Sequence, residues 1–534
     1  MNRNRVSVLF ALGLVWALVL TACGSGAPSA PAPVEEANGA GAAQEAQEGA
    51  APQQKIAVYA FSRNLADLDP STASTDEYNV FINTYETLTT YDPKAEDPIQ
   101  PLLATSWESN EDGTEWTFKL RQGVTFHDGT PFNAEAVKYS IERTIQKEVL
   151  GYQFPVDSIE VIDDYTVKFN LQFSAPFAML LATPWGAYMV SPSTADKDAD
   201  WFNQGNEAGT GPYMIESYEP NQRMVITQYK DYWGGWTGDE FTKVVFELVE
   251  DATVREQMIR SGEADYTWDL AYDNYAALGP DIQVLVEPGF QVSLVGLNTA
   301  KPPVDNIQVR KALAYSYPAD TIVQNIYGGY AKKATGIVPS SMWVEQPDLK
   351  GYEFDLDKAK SLFQDAGVTE GTSIDYTYLI QNPELKTVGE LWKAELAKIG
   401  INLEIQGQPI ETVIGRLGDP ATAWDALGTD WNTGVPNMYD MLAPYFHSQN
   451  AIFPISYYNN PEYDALLDEA LALSGVDMKG ANKLYAQAQQ ILLDDAVMIP
   501  VAEVAHVAAA RADLKNIRLN PAHPYAIRWY EVRR

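Results

Sequence analysis

The spacing of apolar residues predicts a chain in which strands and helices alternate. KVVFELV (243–249) and DYTVKFNL (164–171) combine β-branched and aromatic residues, which is typical of strands. A strand, a helix and a second strand follow one another in residues 243–268 and again in residues 375–406. Because this order favours parallel sheets, the pattern predicts an α/β fold with several lobes.

Several of the predicted helices carry their own start and stop signals. Asn460 can cap the free amides of a helix in which Pro461 takes the first position, and the apolar residues that follow fall on one face. Asp477 precedes a second apolar stripe in the same way. A third helix is predicted between residues 355 and 367, because Gly367 suits the left-handed position beyond a helix end.

The amino terminus predicts export and attachment to a membrane. Arg3 and Arg5 precede an uncharged run, VSVLFALGLVWALVL, which is too short to span a bilayer comfortably, since a spanning helix needs about 20 apolar residues. The next residues, Leu20-Thr21-Ala22-Cys23, resemble a bacterial lipobox, in which cleavage before the cysteine is followed by lipidation of its thiol. We therefore predict a signal peptide over residues 1–22 and a lipid anchor on Cys23. The alternative is an ordinary signal peptide followed by an unmodified cysteine.

The single cysteine and the segment after it narrow the chemistry of the mature protein. Cys23 is the only cysteine in 534 residues, so its lipidation leaves no thiol for an internal disulfide, a nucleophile or a thiolate metal site. Residues 24–54 are rich in Gly, Ala, Pro, Ser and Gln and have almost no large apolar side chain. Such a composition cannot bury enough surface to order itself, so residues 23–54 are predicted to form a disordered tether.

The remaining body has the composition of a large, acidic globular protein. Hydrophobic residues make up 46% of the chain, and a body of this size exceeds the limit at which one core divides, so two or three domains are expected. The formal net charge is −35 and becomes −37 when Arg3 and Arg5 are removed with the signal peptide. This charge argues against nucleic acid and anionic lipid surfaces as partners.

Sequence motifs for catalysis or metal binding are nearly absent. The four histidines, His127, His447, His506 and His523, are widely spaced and form no paired-ligand pattern. AGTGPYM (208–214) lacks the Lys-Ser/Thr pair of a phosphate-binding loop, and no GxSxG motif occurs. We therefore expect a protein that is not an enzyme and uses no metal or cofactor. An enzyme built on an unrecognised constellation is the alternative.

Several blocks of sequence carry a family resemblance. The most specific are FHDGTPFNAEAV (126–137) and NTAKPPVDNIQVRKAL (298–313), and YETLTTYDP (85–93), GTGPYMIESYEPNQRMVITQYKDYW (209–233) and NPEYDALLDEA (460–470) add to them. Together these blocks resemble the extracytoplasmic solute-binding proteins of family 5, the peptide and nickel binders that serve ABC importers. The resemblance covers nearly the whole chain after the tether. The block FHDGTPFNAEAV itself is interpreted as a turn before a helix, and not as a catalytic site.

The resemblance implies a two-lobed clamp of the periplasmic-binding-protein type II class with an additional domain. By analogy, lobe I would combine residues 55–95, 209–291 and 505–534, the extra domain would be 96–208, and lobe II would be 292–504. Lobes that are discontinuous in sequence imply two crossing strands as a hinge. A ligand bound between the lobes would stabilise the closed state, which an ABC permease in the cytoplasmic membrane then recognises.

The resemblance also implies a set of ligand-binding residues. The family's ligand segment follows an apolar strand and carries a tryptophan, and ALGTDWNTGVPNMYDML (426–442) matches it, with Trp431 as that tryptophan. The strand that precedes LNTAKPP, here PGFQVSLVG (288–296), often contributes backbone hydrogen bonds to a peptide. Further aromatic and amide side chains would suit a neutral ligand and are added to these two segments. The predicted ligand-binding residues are then Trp431, Asp430, Asn432, Gln291, Phe290, Gln381, Trp185 and Tyr188.

Both charged anchors of the family's dipeptide binders are altered in this sequence. Peptide binders commonly place an aspartate about three residues after the tryptophan to pair with the α-ammonium group, and Gly434 occupies that position here. Asp430 and Asp440 are the nearest substitutes, although neither is at the matching position. Dipeptide binders also use an arginine after the strand that corresponds to YTYLIQNPELK (376–386), where this sequence offers Gln381 and Asn382, with Lys386 as the nearest cation.

The leading hypothesis is a peptide-class binding lipoprotein of an ABC importer, held outside the cytoplasmic membrane by its lipid and otherwise a monomer. The main rival keeps the scaffold and assigns an oligosaccharide, which Trp185, Tyr188, Trp431, Asn432 and Gln381 would suit through stacking and amide hydrogen bonds. A rival of another class is a surface hydrolase or folding factor. Nickel is the weaker choice, because the histidines do not cluster and Cys23 is consumed.

Overall fold

The computed structural model describes the body that follows the predicted tether. The described residues are 55–73, 77–147, 154–343, 345–380, 382–523 and 525–534. The predicted signal peptide, the predicted lipidation site Cys23, the predicted tether and the predicted ligand residue Gln381 lie outside them.

Seventeen strands are present in the described residues. They are β1 (Ile56–Phe61), β2 (Thr89–Tyr91), β3 (Ile99–Pro101), β4 (Ala104–Ser109), β5 (Glu115–Leu120), β6 (Val156–Asp163), β7 (Thr166–Leu171), β8 (Tyr213–Glu219), β9 (Arg223–Gln228), β10 (Lys243–Leu248), β11 (Tyr266–Trp268), β12 (Ile282–Leu297), β13 (Ala331–Lys333), β14 (Ser373–Leu379), β15 (Asn402–Gln408), β16 (Ala426–Trp431) and β17 (Met498–Arg511).

Fourteen α-helices accompany these strands in the same part of the chain. They are α1 (Tyr78–Thr84), α2 (Ala134–Lys147), α3 (Phe177–Leu180), α4 (Ala199–Asn203), α5 (Ala252–Ser261), α6 (Tyr272–Tyr275), α7 (Ile307–Tyr315), α8 (Ala319–Ile326), α9 (Leu356–Asp365), α10 (Pro383–Ala397), α11 (Ile410–Arg416), α12 (Met438–Phe446), α13 (Pro461–Ser474) and α14 (Met478–Asp494). None of them, within the described ranges, combines the length and apolar composition that crossing a membrane requires.

Most strands join one mixed sheet in the order β15-β14-β16-β12-β17-β11-β1-β10-β9-β8, with β13 paired to β17. β1 lies between β10 and β11 and is parallel to both, while β14 is parallel to β15 and β16. Because α5 joins β10 to β11 and α10 joins β14 to β15, both predicted strand-helix-strand units are confirmed. We call β1 and β8–β11 the first half-sheet, and β14–β16 the second half-sheet.

The long strands β12 and β17 join the two half-sheets. Residues 282–288 of β12 pair with 505–511 of β17, whereas residues 292–296 pair with 498–503 and also with β16. The register breaks between Pro288 and Val292. This pair gives the fold the two crossing strands of a type II clamp. The boundaries predicted for the lobes and the extra domain stay predictions.

The break in register is filled by residues from the C-terminal segment. His506 Nε2 donates to the carbonyl oxygen of Pro521 at 2.7 Å, and the backbone N–H of Phe290 donates to the same oxygen at 2.8 Å. A Cβ on Gly289 would lie only 2.6 Å from His506 Nε2, so glycine is required at this position. Burial lowers the pKa of His506 to about 4, which keeps the imidazole neutral near pH 7.

The helix boundaries follow the capping signals in the sequence. Asn460 accepts hydrogen bonds from the amides of the first turn of α13, and Asp477 accepts one from Gly480 at the start of α14. Asp355 caps α9 in the same way, and Gly367 has a φ of 75° just beyond its end. The three predicted helices are therefore confirmed together with their caps.

A separate antiparallel sheet, in the order β4-β5-β7-β6, packs against α2 around its own apolar core. The block FHDGTPFNAEAV forms the turn that leads into α2. Asp128 Oδ1 accepts from the Thr130 amide at 2.8 Å, and Asn133 Oδ1 accepts from the Ala136 amide at 3.0 Å. These contacts confirm the interpretation of the block as a turn before a capped helix.

His127 in this turn forms a buried ion pair with Glu207. Its Nδ1 donates to the Glu207 carboxylate at 2.7 Å, and its Nε2 donates to the carbonyl oxygen of Gly211 at 2.8 Å. Burial alone would lower the pKa of His127, but the charge of Glu207 and the two hydrogen bonds outweigh burial and raise it above its usual value. Because both ring nitrogens donate, the imidazole is positively charged.

The ion pair of His127 with Glu207 predicts that part of the unfolding free energy depends on pH. The stabilisation is fully present below the unfolded-state pKa of about 6.5 and is lost as the pH rises through the higher folded-state pKa. We therefore expect the unfolding free energy of the wild type to exceed that of His127→Gln by more at pH 6.5 than at pH 9, as measured by urea unfolding. Glu207→Gln is the matched control and should remove the same pH dependence. An equal difference at both pH values would contradict the ion pair.

Candidate ligand-binding site

Polar residues gather where the parallel strands β14 and β16 end. Asn382, just after β14, donates from Nδ2 to Asp430 Oδ2 at 2.7 Å, and Asp430 is near the end of β16. Ligands of open α/β sheets bind at the carboxyl ends of strands, so the fold places these residues in the expected region. Burial raises the pKa of Asp430 to about 6, and the negative charge of Glu384 adds to this effect.

Trp431, the last residue of β16, is half-buried against other aromatic side chains. Its ring centroid lies 4.7 Å from that of Tyr445 and 5.9 Å from that of Phe453. Its indole Nε1 donates to the carbonyl oxygen of Asp440 at 2.7 Å. Trp431 therefore holds the loop after β16 against α12, and its predicted contact with ligand stays a prediction.

Gly434 in the loop after β16 lies directly against the segment 183–185, which follows α3. A Cβ at position 434 would lie 2.8 Å from Thr183 Oγ1 and 3.3 Å from Trp185 Cδ2. Separations under 3.0 Å are essentially never seen for real Cβ atoms. Residue 434, where the family resemblance would imply an aspartate, therefore lies in a direct contact between two parts of the chain, which leaves no room for a larger side chain.

A cavity of about 490 Å³ lies beside this contact. One wall consists of Pro155, Phe173, Ala175, Leu180 and Thr183, and the other consists of residues from the segment 433–452 with Leu471. Its volume falls within the range of about 300–1,000 Å³ that is usual for small-molecule sites. The cavity is therefore formed between two segments that are far apart in sequence.

Asp440 contributes a carboxylate to this cavity from the first turn of α12. Its Oδ2 accepts from Thr433 Oγ1 at 2.6 Å. Burial raises the pKa of Asp440 to about 6, and the hydrogen bond from Thr433 opposes that rise only in part. No cationic side chain of the described chain lies within ion-pair distance of Asp440. The carboxylate is therefore partly desolvated and lacks a positive partner in that region.

A smaller cleft lies on the other side of the Gly434 contact and is lined in part by Tyr188 and Arg528. Arg528 Nη2 donates to Thr90 Oγ1 at 2.9 Å. Glu86 at the same cleft accepts hydrogen bonds from Thr210, Tyr232 and Trp233, and burial raises its pKa. Of the predicted ligand residues, Tyr188 is thus placed at this cleft and not at the larger cavity.

Phe290, Gln291, Asn432 and Trp185 lie around the C-terminal segment 520–523. Asn432 Nδ2 is 3.5 Å from the carbonyl oxygen of Ala522, and the backbone of Phe290 is bonded to Pro521. Gln291 falls within the break in register of β12. The structure therefore places these predicted residues near the hinge, and none of them lines the 490 Å³ cavity.

The half-buried side chain of Trp185 packs against the buried ring of His523 in this region. Their ring centroids are 5.6 Å apart, and Trp185 Nε1 and His523 Nε2 are buried without a hydrogen-bond partner among the described residues. Burial lowers the pKa of His523 to about 3, so its ring is neutral near pH 7. Since buried polar atoms normally have partners, Trp185 is the predicted aromatic residue whose surroundings most favour a polar ligand group.

Sequence reasoning missed most of the cavity wall. It considered Asp440 only as a substitute anchor, and it did not consider Thr183, Thr433 or the apolar residues Phe173 and Ile452. No motif connects these residues, because most of the two walls come from segments at least 250 residues apart in the chain. In the described residues no group of three or more His, Cys, Asp or Glu side chains is arranged to hold a metal ion.

Residues 98–453 match the family described as bacterial extracellular solute-binding proteins, family 5, middle region. The chain belongs to this family. Family 5 relatives include the probable D,D-dipeptide-binding periplasmic protein DdpA of Escherichia coli, which is 30% identical over 85% of this chain and 89% of its own length. Heme-binding protein A of Haemophilus influenzae is 31% identical over 77% of this chain and 80% of its own length.

A solved structure supports the fold. The dipeptide-binding protein of Pseudoalteromonas sp. SM9913 in complex with Met-Leu is 26% identical, with a TM-score of 0.77 over 90% of this chain and 100% of that chain. The family assignment and the two-lobed clamp predicted from sequence are thereby confirmed. The predicted ligand-binding residues stay predictions.

The contact at Gly434 predicts a specific cost for any side chain there. Gly434→Ala should destabilise the protein by about 1–3 kcal/mol, because the added Cβ overlaps Thr183 Oγ1. Gly418→Ala is the matched control, since nothing lies within 4 Å of a Cβ at that position, and its effect should stay within about 0.5 kcal/mol. Thr183→Ala should recover part of the loss in the double variant. Urea unfolding measures all four proteins, and equal effects of the two glycine substitutions would contradict the contact.

Proposed function

We propose that this chain is the extracytoplasmic substrate-binding lipoprotein of an ABC importer, and that it captures a peptide-class solute and delivers it to the permease. The observation that carries the proposal is the 490 Å³ cavity, which is lined in part by residues 433–452 and so adjoins the segment around Trp431 that the family resemblance implies for the ligand. Capture requires no catalyst. A ligand that contacts both walls of the cavity binds the closed clamp more tightly than the open one, and only that difference shifts the population.

The choice of a peptide-class ligand has support from relatives and from the cavity. A dipeptide-binding relative and a Met-Leu complex share this fold over nearly their full lengths. The cavity combines apolar walls with a few polar groups, including Asn437, Asp440 and Asn450, which suits side chains and backbone amides of a short peptide.

The oligosaccharide alternative has weaker support from the aromatic residues. Sugars bind on open aromatic faces, but Trp431 packs on Tyr445 and Phe453, and Trp185 lies against His523 and Gly434. The aromatic side chains that line the described cavity are Phe173 and Tyr439. We therefore retain peptides as the ligand class.

Ligand screening tests the proposed function. At a concentration of 100 times its dissociation constant, a cognate peptide should raise the unfolding free energy by about 2.7 kcal/mol, because it binds the folded state only. Thermal shift with peptide and glycan panels measures this effect, and mass spectrometry of the protein as expressed identifies any ligand that copurifies. A shift with glycans and none with peptides would overturn the peptide assignment.

The proposed anchor is the lipid on Cys23, with residues 24–54 as tether and the body outside the cytoplasmic membrane as a monomer. It is supported by the lipobox-like sequence and by the periplasmic location named for the DdpA relative. Replacing residues 1–22 with a leader for ordinary signal peptidase and introducing Cys23→Ser should move the protein from the membrane fraction to the soluble extracytoplasmic fraction, as measured by immunoblotting. The unaltered chain, which keeps the lipobox-like residues 20–22 before Cys23, is the control and should stay in the membrane fraction. Retention of the serine variant on membranes would contradict the anchor.

A further inference from the structure

We propose that Asp440 binds the ammonium group of the ligand, and that the adjoining apolar walls hold the side chain next to that group. The substrate class is then peptides with a free amino terminus and an apolar first residue. This inference rests on the proposed function and adds which peptides the site would select. It also moves the cation site away from position 434, where the sequence comparison with peptide binders would place it.

The charge of the cavity lining supports a monocationic ligand. Asp440 is the one carboxylate among the described residues that line the cavity, and the lining in those residues includes no lysine, arginine or histidine. The other lining residues are neutral and mainly apolar. A ligand with one positive charge and an apolar body therefore complements this surface better than an anion or a polyol does.

The surroundings of Asp440 leave its carboxylate available to a ligand. Within the described chain, its side chain accepts a hydrogen bond from the hydroxyl of Thr433, while its backbone oxygen accepts from the indole of Trp431. These two contacts position the residue without neutralising its charge. Trp431 is thus a positioning residue in this arrangement, since it holds the backbone of the residue that would pair with the ligand.

Asp430 is less suitable as the cation site, although it is also an acid near Trp431. It already accepts a hydrogen bond from Asn382 at 2.7 Å, and it does not line the 490 Å³ cavity. Position 434 is excluded by space, because Thr183 and Trp185 lie within contact distance of where its Cβ would be. Asp440 is therefore the acid that combines a cavity with an available carboxylate.

The rim of the cavity supports an apolar side chain or chain extension. Phe173 and Ile452 line the cavity from opposite walls, and they are 45% and 50% exposed. Covering large apolar side chains of this exposure with an apolar ligand group removes their surface from water, which lowers the free energy of the complex. The inner walls add Leu180 and Val435, so apolar contact extends from the interior to the rim.

Paired probes test the inference. Leu-Ala-Ala and N-acetyl-Leu-Ala-Ala differ only in the amino group, and hexylamine and hexanol differ in the same charge without any peptide bond. Calorimetric titration of the purified chain should show at least tenfold tighter binding of Leu-Ala-Ala than of its acetylated form, and of hexylamine than of hexanol. Asp440→Asn should reduce both ratios to about one, because the amide cannot pair with the ammonium group.

The outcomes separate this inference from the proposed function. Equal binding of charged and uncharged probes by the wild type overturns the inference, and so does a loss of selectivity in Asp430→Asn with none in Asp440→Asn. A third outcome is that the wild type prefers hexylamine to hexanol, that this preference depends on Asp440, and that neither peptide binds. That outcome supports the cation site but overturns the peptide assignment. Circular dichroism reports whether Asp440→Asn folds. If it does not fold, the comparison of charged and uncharged probes on the wild type still tests whether binding requires the positive charge.

Discussion

The pairing of β12 with β17 is the interaction on which the arrangement of this molecule depends. The two strands are 16 and 14 residues long and pair with each other. β12 also pairs with β16 of the second half-sheet and β17 with β11 of the first, so this ladder connects the two half-sheets. The ladder is interrupted between Pro288 and Val292, where the C-terminal segment supplies hydrogen bonds through Pro521. A break of this kind limits bending to a few residues and leaves the pairing on either side intact.

The candidate site combines a close contact between distant segments with a single carboxylate beside an apolar cavity. Gly434 allows the loop after β16 to contact Thr183 and Trp185, so protein atoms fill the space that a side chain at position 434 would need. The carboxylate of Asp440 lies in the first turn of α12, beside a cavity that this contact helps to enclose. A side chain larger than glycine at position 434 would therefore have to push these two walls apart.

The buried histidines show that residue type alone does not indicate a role. His127 is charged and paired with Glu207, whereas His506 and His523 are neutral because burial lowers their pKa values. All three are buried, and each is close to aromatic or backbone groups. The difference arises from one carboxylate, which only His127 has within hydrogen-bond distance among these three.

The sequence by itself determined the local features of this protein, including the caps of α9, α13 and α14, the strand-helix-strand units around α5 and α10, and the family. These features depend on residues that are close together in the chain, so their spacing contains the necessary information. The tertiary structure decided that β1 lies between β10 and β11, that Gly434 touches Thr183, and that Asp440 shares a cavity with Phe173. Such contacts depend on how distant segments pack, and single-sequence periodicity does not record which segments meet.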